Sequence, residues 1–275
     1  MQPSTTEIAA FLAEDIGSGD LTANLIAKDQ TASATVVCRE AAVLCGQAWF
    51  EAVFKQLDPS VRIEWLCQEG EYLPADSLIC RLQGPARALL TGERTALNLL
   101  QTLSATASIA RRYAQAVAGT SCKILDTRKT LPGLRLAQKY AVSCGGCMNH
   151  RIGLFDAILI KENHILAAGS IAEAVKSARA SGQKVMVEVE VENLDELHQA
   201  LTARVDRVML DNFSLEALRE AVAMSQGQVE LEASGNITLE TIRSVAETGV
   251  DYISIGALTK NLQAVDLSMR IDLQF

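Results

Sequence analysis

The sequence predicts an α/β protein in two parts: an α+β region with an antiparallel sheet, then a run of βα units around a parallel sheet. Three observations predict it. Apolar residues make up 49% of the 275, enough for a substantial core. Strand-like runs crowd the first part around a single helical interruption, as in an antiparallel α+β domain. From Lys123 onward, short apolar strands alternate with amphipathic helices, the rhythm of buried parallel strands.

In chain order, Glu7–Leu12 reads as a short helix that turns at Gly17-Ser18-Gly19-Asp20. Strand-like runs follow at Ala34–Arg39, Ala42–Cys45, Val61–Cys67 and Ser77–Leu82, interrupted by helical spacing at Trp49, Val53, Phe54 and Leu57. A long helix is expected from about Pro85 to Val117, with Pro85 at its start and Gly119 past its end. Strands are then expected at Lys123–Asp126, Ala157–Ile160, Val185–Glu190, Arg207–Asp211, Glu230–Ala233 and Tyr252–Ile255. Helices fill most of the gaps, at Ile171–Ala180, Leu194–Leu201, Leu215–Ala223 and Leu239–Glu247. Such a repeat suits either a barrel of fewer than eight units or an open doubly wound sheet.

With 25 basic and 33 acidic residues, the chain carries a net charge of −8. That balance disfavours nonspecific binding to nucleic acid or to an anionic membrane. No apolar run approaches the ~18 residues of a membrane span, and the N-terminus lacks the features of a signal peptide. Seven cysteines, an odd number, sit in apolar contexts, as expected for reduced thiols in the cytoplasm.

What ends each strand is the main functional signal. In order, the ends carry Asp126-Thr127-Arg128-Lys129, Lys161, Glu190, Asp211, Ser234-Gly235-Asn236 and Gly256-Ala257. Polar groups at the carboxyl ends of parallel strands converge on one rim, where active sites lie. Arg128, Lys129, Arg151 and Lys161 fall in loops or at strand ends and suit a ligand with several carboxylates or phosphates. Arg135 and Lys139, at i,i+4 spacing, read as a solvated helix face. Glu190 and Asp211 suit either Mg²⁺ on a phosphate-bearing substrate or simple neutralisation of the lysines. The Ser234–Asn236 and Ile255–Ala257 turns can offer backbone N–H groups to a phosphate. Cys144-Gly145-Gly146-Cys147 has a zinc-like spacing, but a closed site needs four ligands and no second pair accompanies it. Its glycines are expected to let the loop pass close to a ligand.

Together these segments resemble the quinolinate phosphoribosyltransferases. The resemblance runs through Glu14-Asp15 with Gly19–Thr22, Gly92–Asn98, Asp126–Arg135, Asn149–Leu154, Ile160–His164, Glu188–Glu190, Leu210–Asn212 and Ser254–Thr259. It implies an N-terminal α/β sandwich domain, residues 1–112 with the long connecting helix, and an incomplete seven-strand α/β barrel, residues 113–267. A tail at 268–275 is expected to pack back on the first domain. The implied reaction joins quinolinate to phosphoribosyl pyrophosphate, giving nicotinate mononucleotide, pyrophosphate and CO₂, with Mg²⁺ on the co-substrate. Arg94, Thr127, Arg128, Lys129, His150, Arg151 and Lys161 would bind quinolinate, with Arg94 crossing from the other subunit of a homodimer. Lys129, Lys161, Glu190 and Asp211 would be catalytic, Glu190 and Asp211 also holding the metal. Ser234, Gly235, Asn236, Ile255, Gly256 and Ala257 would bind the 5′-phosphate. Where members of this family usually have a third consecutive glycine, this chain has Cys147, which would resist a positive φ. Two other readings remain: a same-fold relative with a different anionic substrate, of the molybdenum-transport-associated type, and a non-catalytic small-anion binder. The intact Thr127–Lys129, Asn149–Arg151 and Ile160-Lys161 segments disfavour the first, and the Glu190/Asp211 pair disfavours the second.

Overall fold

A computed structural model describes residues 1–180 and 182–273. The chain forms two compact units. The first comprises Met1–Arg111, Leu131–Gly146 and the described residues from Asn261; the second comprises Arg112–Thr130 and Cys147–Lys260. Beside the expected division at 112/113, the first unit also takes in residues 131–146 and residues 261–267.

The first unit holds a four-stranded antiparallel sheet. Its strands are β1 (Thr31–Cys38), β3 (Arg62–Trp65), β5 (Ser77–Pro85) and β12 (Leu267–Leu273), in the order β12-β1-β5-β3. A two-stranded ribbon pairs β2 (Ala42–Val43) with β4 (Tyr72–Leu73). Alternation along β1 buries Ala32, Ala34, Val36 and Cys38 on one face. Helix α1 (Thr5–Ile16) starts on a capping box between Ser4 and Glu7. Helix α2 (Gln47–Leu57) buries Trp49, Phe50, Val53 and Phe54 at helical spacing. The Glu69 carboxylate accepts the Gly46 and Gln47 N–H groups at 2.9 and 3.1 Å, satisfying donors in the first turn of α2. Helix α3 (Ala86–Ala116) contributes Leu89, Leu97, Leu100 and Leu103 to the core, each at most 1% exposed. Helix α4 (Arg135–Cys144) also belongs to this unit. Lys139 in it is 2% exposed, which corrects the expectation that it lies on a solvated face. Spacing of i,i+4 shows that two side chains share a face, not which face that is.

The second unit is a six-stranded parallel sheet. Its strands are β6 (Lys123–Leu125), β7 (Ile158–Ile160), β8 (Val187–Val191), β9 (Arg207–Asp211), β10 (Glu230–Ser234) and β11 (Tyr252–Ser254), in the order β6-β11-β10-β9-β8-β7. Six of the seven strands that the resemblance implies are formed among the described residues, and one further parallel bridge joins Leu125 to Met148. The residues that follow, Asn149 and His150, turn their donors onto the Asp126 side chain instead of a ladder. Helices α5 (Glu162–Ala168), α6 (Ile171–Ala180), α7 (Leu194–Thr202), α8 (Leu215–Ser225), α9 (Ile242–Ala246) and α10 (Ala257–Lys260) fill the connections. Val187, Val189, Val191, Val208 and Leu210 are at most 2% exposed, as parallel strands require. Among the described residues no helix is long and apolar enough to cross a membrane. Gln274 and Phe275 of the expected tail lie outside the described residues.

Candidate active site

The strand ends of the second unit surround a cavity of about 510 Å³, within the usual range for small-ligand sites. It is lined by Thr127, Arg128, Lys129, His150, Arg151, Lys161, Glu190, Asp211 and Ser234, all expected, together with Leu159, Met209 and Ser254. Thr127–Lys129 leave the end of β6 in a tight turn. The Thr127 hydroxyl accepts the Lys129 N–H at 3.1 Å, and the Lys129 carbonyl accepts the Thr259 hydroxyl at 2.8 Å. Gly256 packs here because a Cβ would come within 3.2 Å of the Lys129 side chain. Gly235, Asn236, Ile255, Gly256 and Ala257 are not among the lining residues. Gly235 is nevertheless required: its φ is +102°, and a Cβ would lie 2.2 Å from Asn212 Oδ1.

Asp126 is fully buried and orients the next segment. Its carboxylate accepts the Asn149 side-chain amide at 2.7 Å and the His150 N–H at 2.9 Å. Asp156 then holds the Ile152 and Gly153 N–H groups at 2.7 and 2.9 Å. Between these two anchors, Arg151 reaches the Ala157 carbonyl at 3.3 Å. Burial, and after it the nearby Arg128 cation, pull the Arg151 pKa down, with Glu188 and Asp156 opposing. The two guanidinium cations face one cavity and repel each other, and an anion between them relieves that repulsion. Cys147 does not occupy the left-handed region, in which the non-glycine residues described are Asp76, Arg204, Asn212, Gln226 and Asn236. The chain takes the positive φ one residue earlier, at Gly146 (+91°). Cys147 is buried, which pushes its thiol up to about 12, and it is a packing residue.

Glu190, one residue before the end of β8, and Asp211, the last residue of β9, lie on neighbouring strands. Glu190 is paired with the Lys161 ammonium. Asp211 accepts the Asn212 side-chain amide at 2.7 Å, and Asn212 in turn accepts from Asn236 at 3.3 Å. Two carboxylates on adjacent strand ends, with no thiolate or imidazole in the set, fit a hard divalent cation that keeps most of its oxygen ligands from a phosphate.

Sequence reasoning missed the layer beneath the cavity. His150 Nε2 lies 3.1 Å from Glu188 Oε2 and 3.5 Å from Glu232 Oε2. Its Nδ1 accepts the Arg151 N–H at 2.7 Å, so the ring proton sits on Nε2, toward the acids. Arg207 completes the cluster, 3.5 Å from Glu232 and 2.8 Å from Glu230, with its guanidinium 4.0 Å above the Tyr252 ring. Burial raises the pKa of Glu188 and pushes Glu232 up to about 8, the charge of Glu188 adding to the latter. One signal could have found these acids. Strands alternate with period two, so Glu188 shares a face with Glu190, and Glu232 shares one with Ser234.

Two family descriptions match the chain: "Quinolinate phosphoribosyl transferase, N-terminal domain" over residues 20–104, and the corresponding C-terminal domain over residues 106–270. The chain belongs to the quinolinate phosphoribosyltransferase family. Relatives agree along nearly the whole length. A probable carboxylating nicotinate-nucleotide pyrophosphorylase of Bacillus subtilis is 43% identical over 264 residues, covering 96% of this chain and 91% of the relative. Among solved structures, the nicotinate-nucleotide pyrophosphorylase of Francisella tularensis superposes with a TM-score of 0.95 at 48% identity, covering 98% of each chain. NadC from Streptococcus pyogenes gives 0.95 at 39% identity over 100% of both.

In this member of the quinolinate phosphoribosyltransferase family, Arg94 does not line the strand-end cavity. It lines a separate groove in the first unit with Glu14, Asp15, Thr95, Asn98 and Thr102.

The buried acids predict a pH signature. Below the ordinary carboxyl value of 4.5, Glu232 is protonated both folded and unfolded. As pH rises toward about 8 only the unfolded chain releases that proton, so folding loses stability across this window. The loss reaches at most about 1.4 kcal/mol per pH unit. Glu232→Gln is expected to flatten the decline of Tm between pH 5 and 8, measured by thermal unfolding; parallel declines in both proteins contradict the assignment.

Proposed function

We propose that this protein transfers the phosphoribosyl group of phosphoribosyl pyrophosphate to quinolinate and releases CO₂, forming nicotinate mononucleotide and pyrophosphate. The observation that carries this reading is one cavity lined by Arg128, Lys129, Arg151 and Lys161, with two carboxylates on adjoining strand ends. The arginine forks suit the two carboxylates of quinolinate, and the lysines add point charges. Glu190 and Asp211 would hold Mg²⁺ carried in by phosphoribosyl pyrophosphate. That ion would supply charge neutralisation to the departing pyrophosphate.

With the dianion held, the pyridine nitrogen attacks the ribose anomeric carbon as its bond to pyrophosphate breaks. Glu190 or Asp211 stabilises the positive charge that develops on the ribose, and Lys161 and Lys129 stabilise the negative charge that develops on the leaving group. The ring is now cationic. When the 2-carboxylate departs as CO₂, the bonding pair stays on ring carbon 2, which then takes a proton. Arg128 and Arg151 keep the ring in place through the remaining 3-carboxylate, so positioning carries more of the catalysis than acid–base chemistry. Lys161, which is paired with Glu190, would share that carboxylate with the metal. The Ser234–Asn236 and Ile255–Ala257 turns would receive the 5′-phosphate. Arg94 would serve the cavity of a second copy in a homodimer, and the seven thiols suit a cytoplasmic setting.

Purified protein given quinolinate, phosphoribosyl pyrophosphate and Mg²⁺ should form nicotinate mononucleotide, detected by chromatography. Product from nicotinate but not from quinolinate refutes the substrate assignment. In the same assay, Arg94→Ala chains mixed with Lys161→Ala chains should regain activity. Verified heterodimers that stay inactive refute the shared site.

A further inference from the structure

Away from the strand-end cavity, the first unit holds two cysteines side by side. Cys45 immediately precedes Gly46, the N-cap of α2, and is fully buried. Cys144 is the last residue of α4 and is half-buried. Their sulfurs and a carboxylate oxygen of Glu69 all lie within 4.8 Å of one another. That trio could hold a soft metal ion, but both Glu69 oxygens are committed to the backbone N–H groups of Gly46 and Gln47. The two sulfurs are left as the reactive unit.

We propose that Cys45 and Cys144 are a reactive dithiol that closes to an intramolecular disulfide on exposure to a peroxide. Their chemistry is unequal in the way such a pair requires. A hydrogen bond from the Cys45 thiol, with a second from the Tyr140 hydroxyl, holds the Cys144 thiol below its ordinary pKa despite burial and the charge of Glu69. Cys38, Cys67, Cys80, Cys122 and Cys147 are all pushed upward by burial. Cys144 is therefore the nucleophile, since the thiolate is the reacting form, and Cys45 is the resolving thiol.

The Cys144 thiolate attacks one peroxide oxygen, breaking the O–O bond, and becomes a sulfenic acid as hydroxide leaves. The Cys45 sulfur then attacks the Cys144 sulfur, forming the S–S bond and displacing the sulfenic oxygen as water. In total two thiols lose two electrons and two protons, and hydrogen peroxide becomes two waters. The sulfurs must close to roughly 2.05 Å, a movement that side-chain rotation at the half-buried Cys144 can supply. The bond would tie the end of α4 to the start of α2, at the head of the segment that runs on to His150 and Arg151.

The test treats the reduced full-length protein with hydrogen peroxide, alkylates the remaining thiols and maps peptides without reduction. Expected is a cross-link between the Cys45 and Cys144 peptides, with the other five cysteines alkylated. In Cys45→Ser, Cys144 should instead accumulate as sulfinic acid, several-fold above wild type under the same exposure. A cross-link from Cys144 to another cysteine overturns the proposal. So does recovery of both thiols alkylated, or a purified protein whose pair is held by Zn²⁺ and resists peroxide.

Discussion

Arg151→Ala is expected to lower kcat/KM for quinolinate on the order of 10³-fold, about 4 kcal/mol. Arg151 is held in place by its own hydrogen bond to Ala157 and by the Asp126 and Asp156 anchors on either side of it. Removing it leaves Arg128 to hold a dianion in a partly desolvated cavity. The loss should fall on the quinolinate side, with KM for quinolinate rising far more than KM for phosphoribosyl pyrophosphate. Arg151→Lys should rescue little, because an ammonium cannot reproduce the planar fork. Steady-state kinetics with each substrate varied in turn checks this. Equal damage to both KM values would place Arg151 outside the quinolinate subsite.

Gly145→Ala is expected to cost about 3 kcal/mol of stability, a fall in Tm of roughly 6–12 °C. Gly145 has an ordinary φ of −78°, so the requirement is for space and not for backbone freedom. A Cβ there would lie 2.3 Å from the Ala107 carbonyl oxygen and 2.5 Å from the Ala110 Cβ on α3. Both neighbours belong to a packed helix that cannot yield cheaply. Thermal unfolding followed by circular dichroism checks it; an unchanged Tm would mean that α3 and the end of α4 are not held in this contact.

That glycine also shows where reading the sequence stopped. The Gly145-Gly146 pair reads as room for a ligand, whereas Gly145 makes room for a helix. The strands of the second unit were legible because buried parallel strands are short apolar runs, and their ends were legible because polar residues interrupt those runs. Sequence alone therefore brings Thr127–Lys129, Lys161, Glu190 and Asp211 to one rim, and all of them line the cavity. Glu188 and Glu232 were not legible as a pair, since alternating glutamates and valines read equally as an amphipathic strand with one wet face. Only the sheet order, with β8 and β10 flanking β9, brings both acids onto His150. The partner of Cys144 was not legible for a similar reason. Cys144 and Cys147 are close along the chain, yet the thiol of Cys144 meets Cys45, which is remote in sequence.

Strand β12 pairs with β1 along Ala32–Cys38, and this has a consequence for biosynthesis. The sheet of the first unit includes residues 267–273, which follow every residue of the second unit in chain order. Until β12 has been synthesised, the β1 edge that it covers is an open row of N–H and C=O groups, a template for pairing with other nascent chains. The second unit has all its residues once Lys260 has emerged, so the unit that starts earlier in the sequence closes its sheet after the one that starts later.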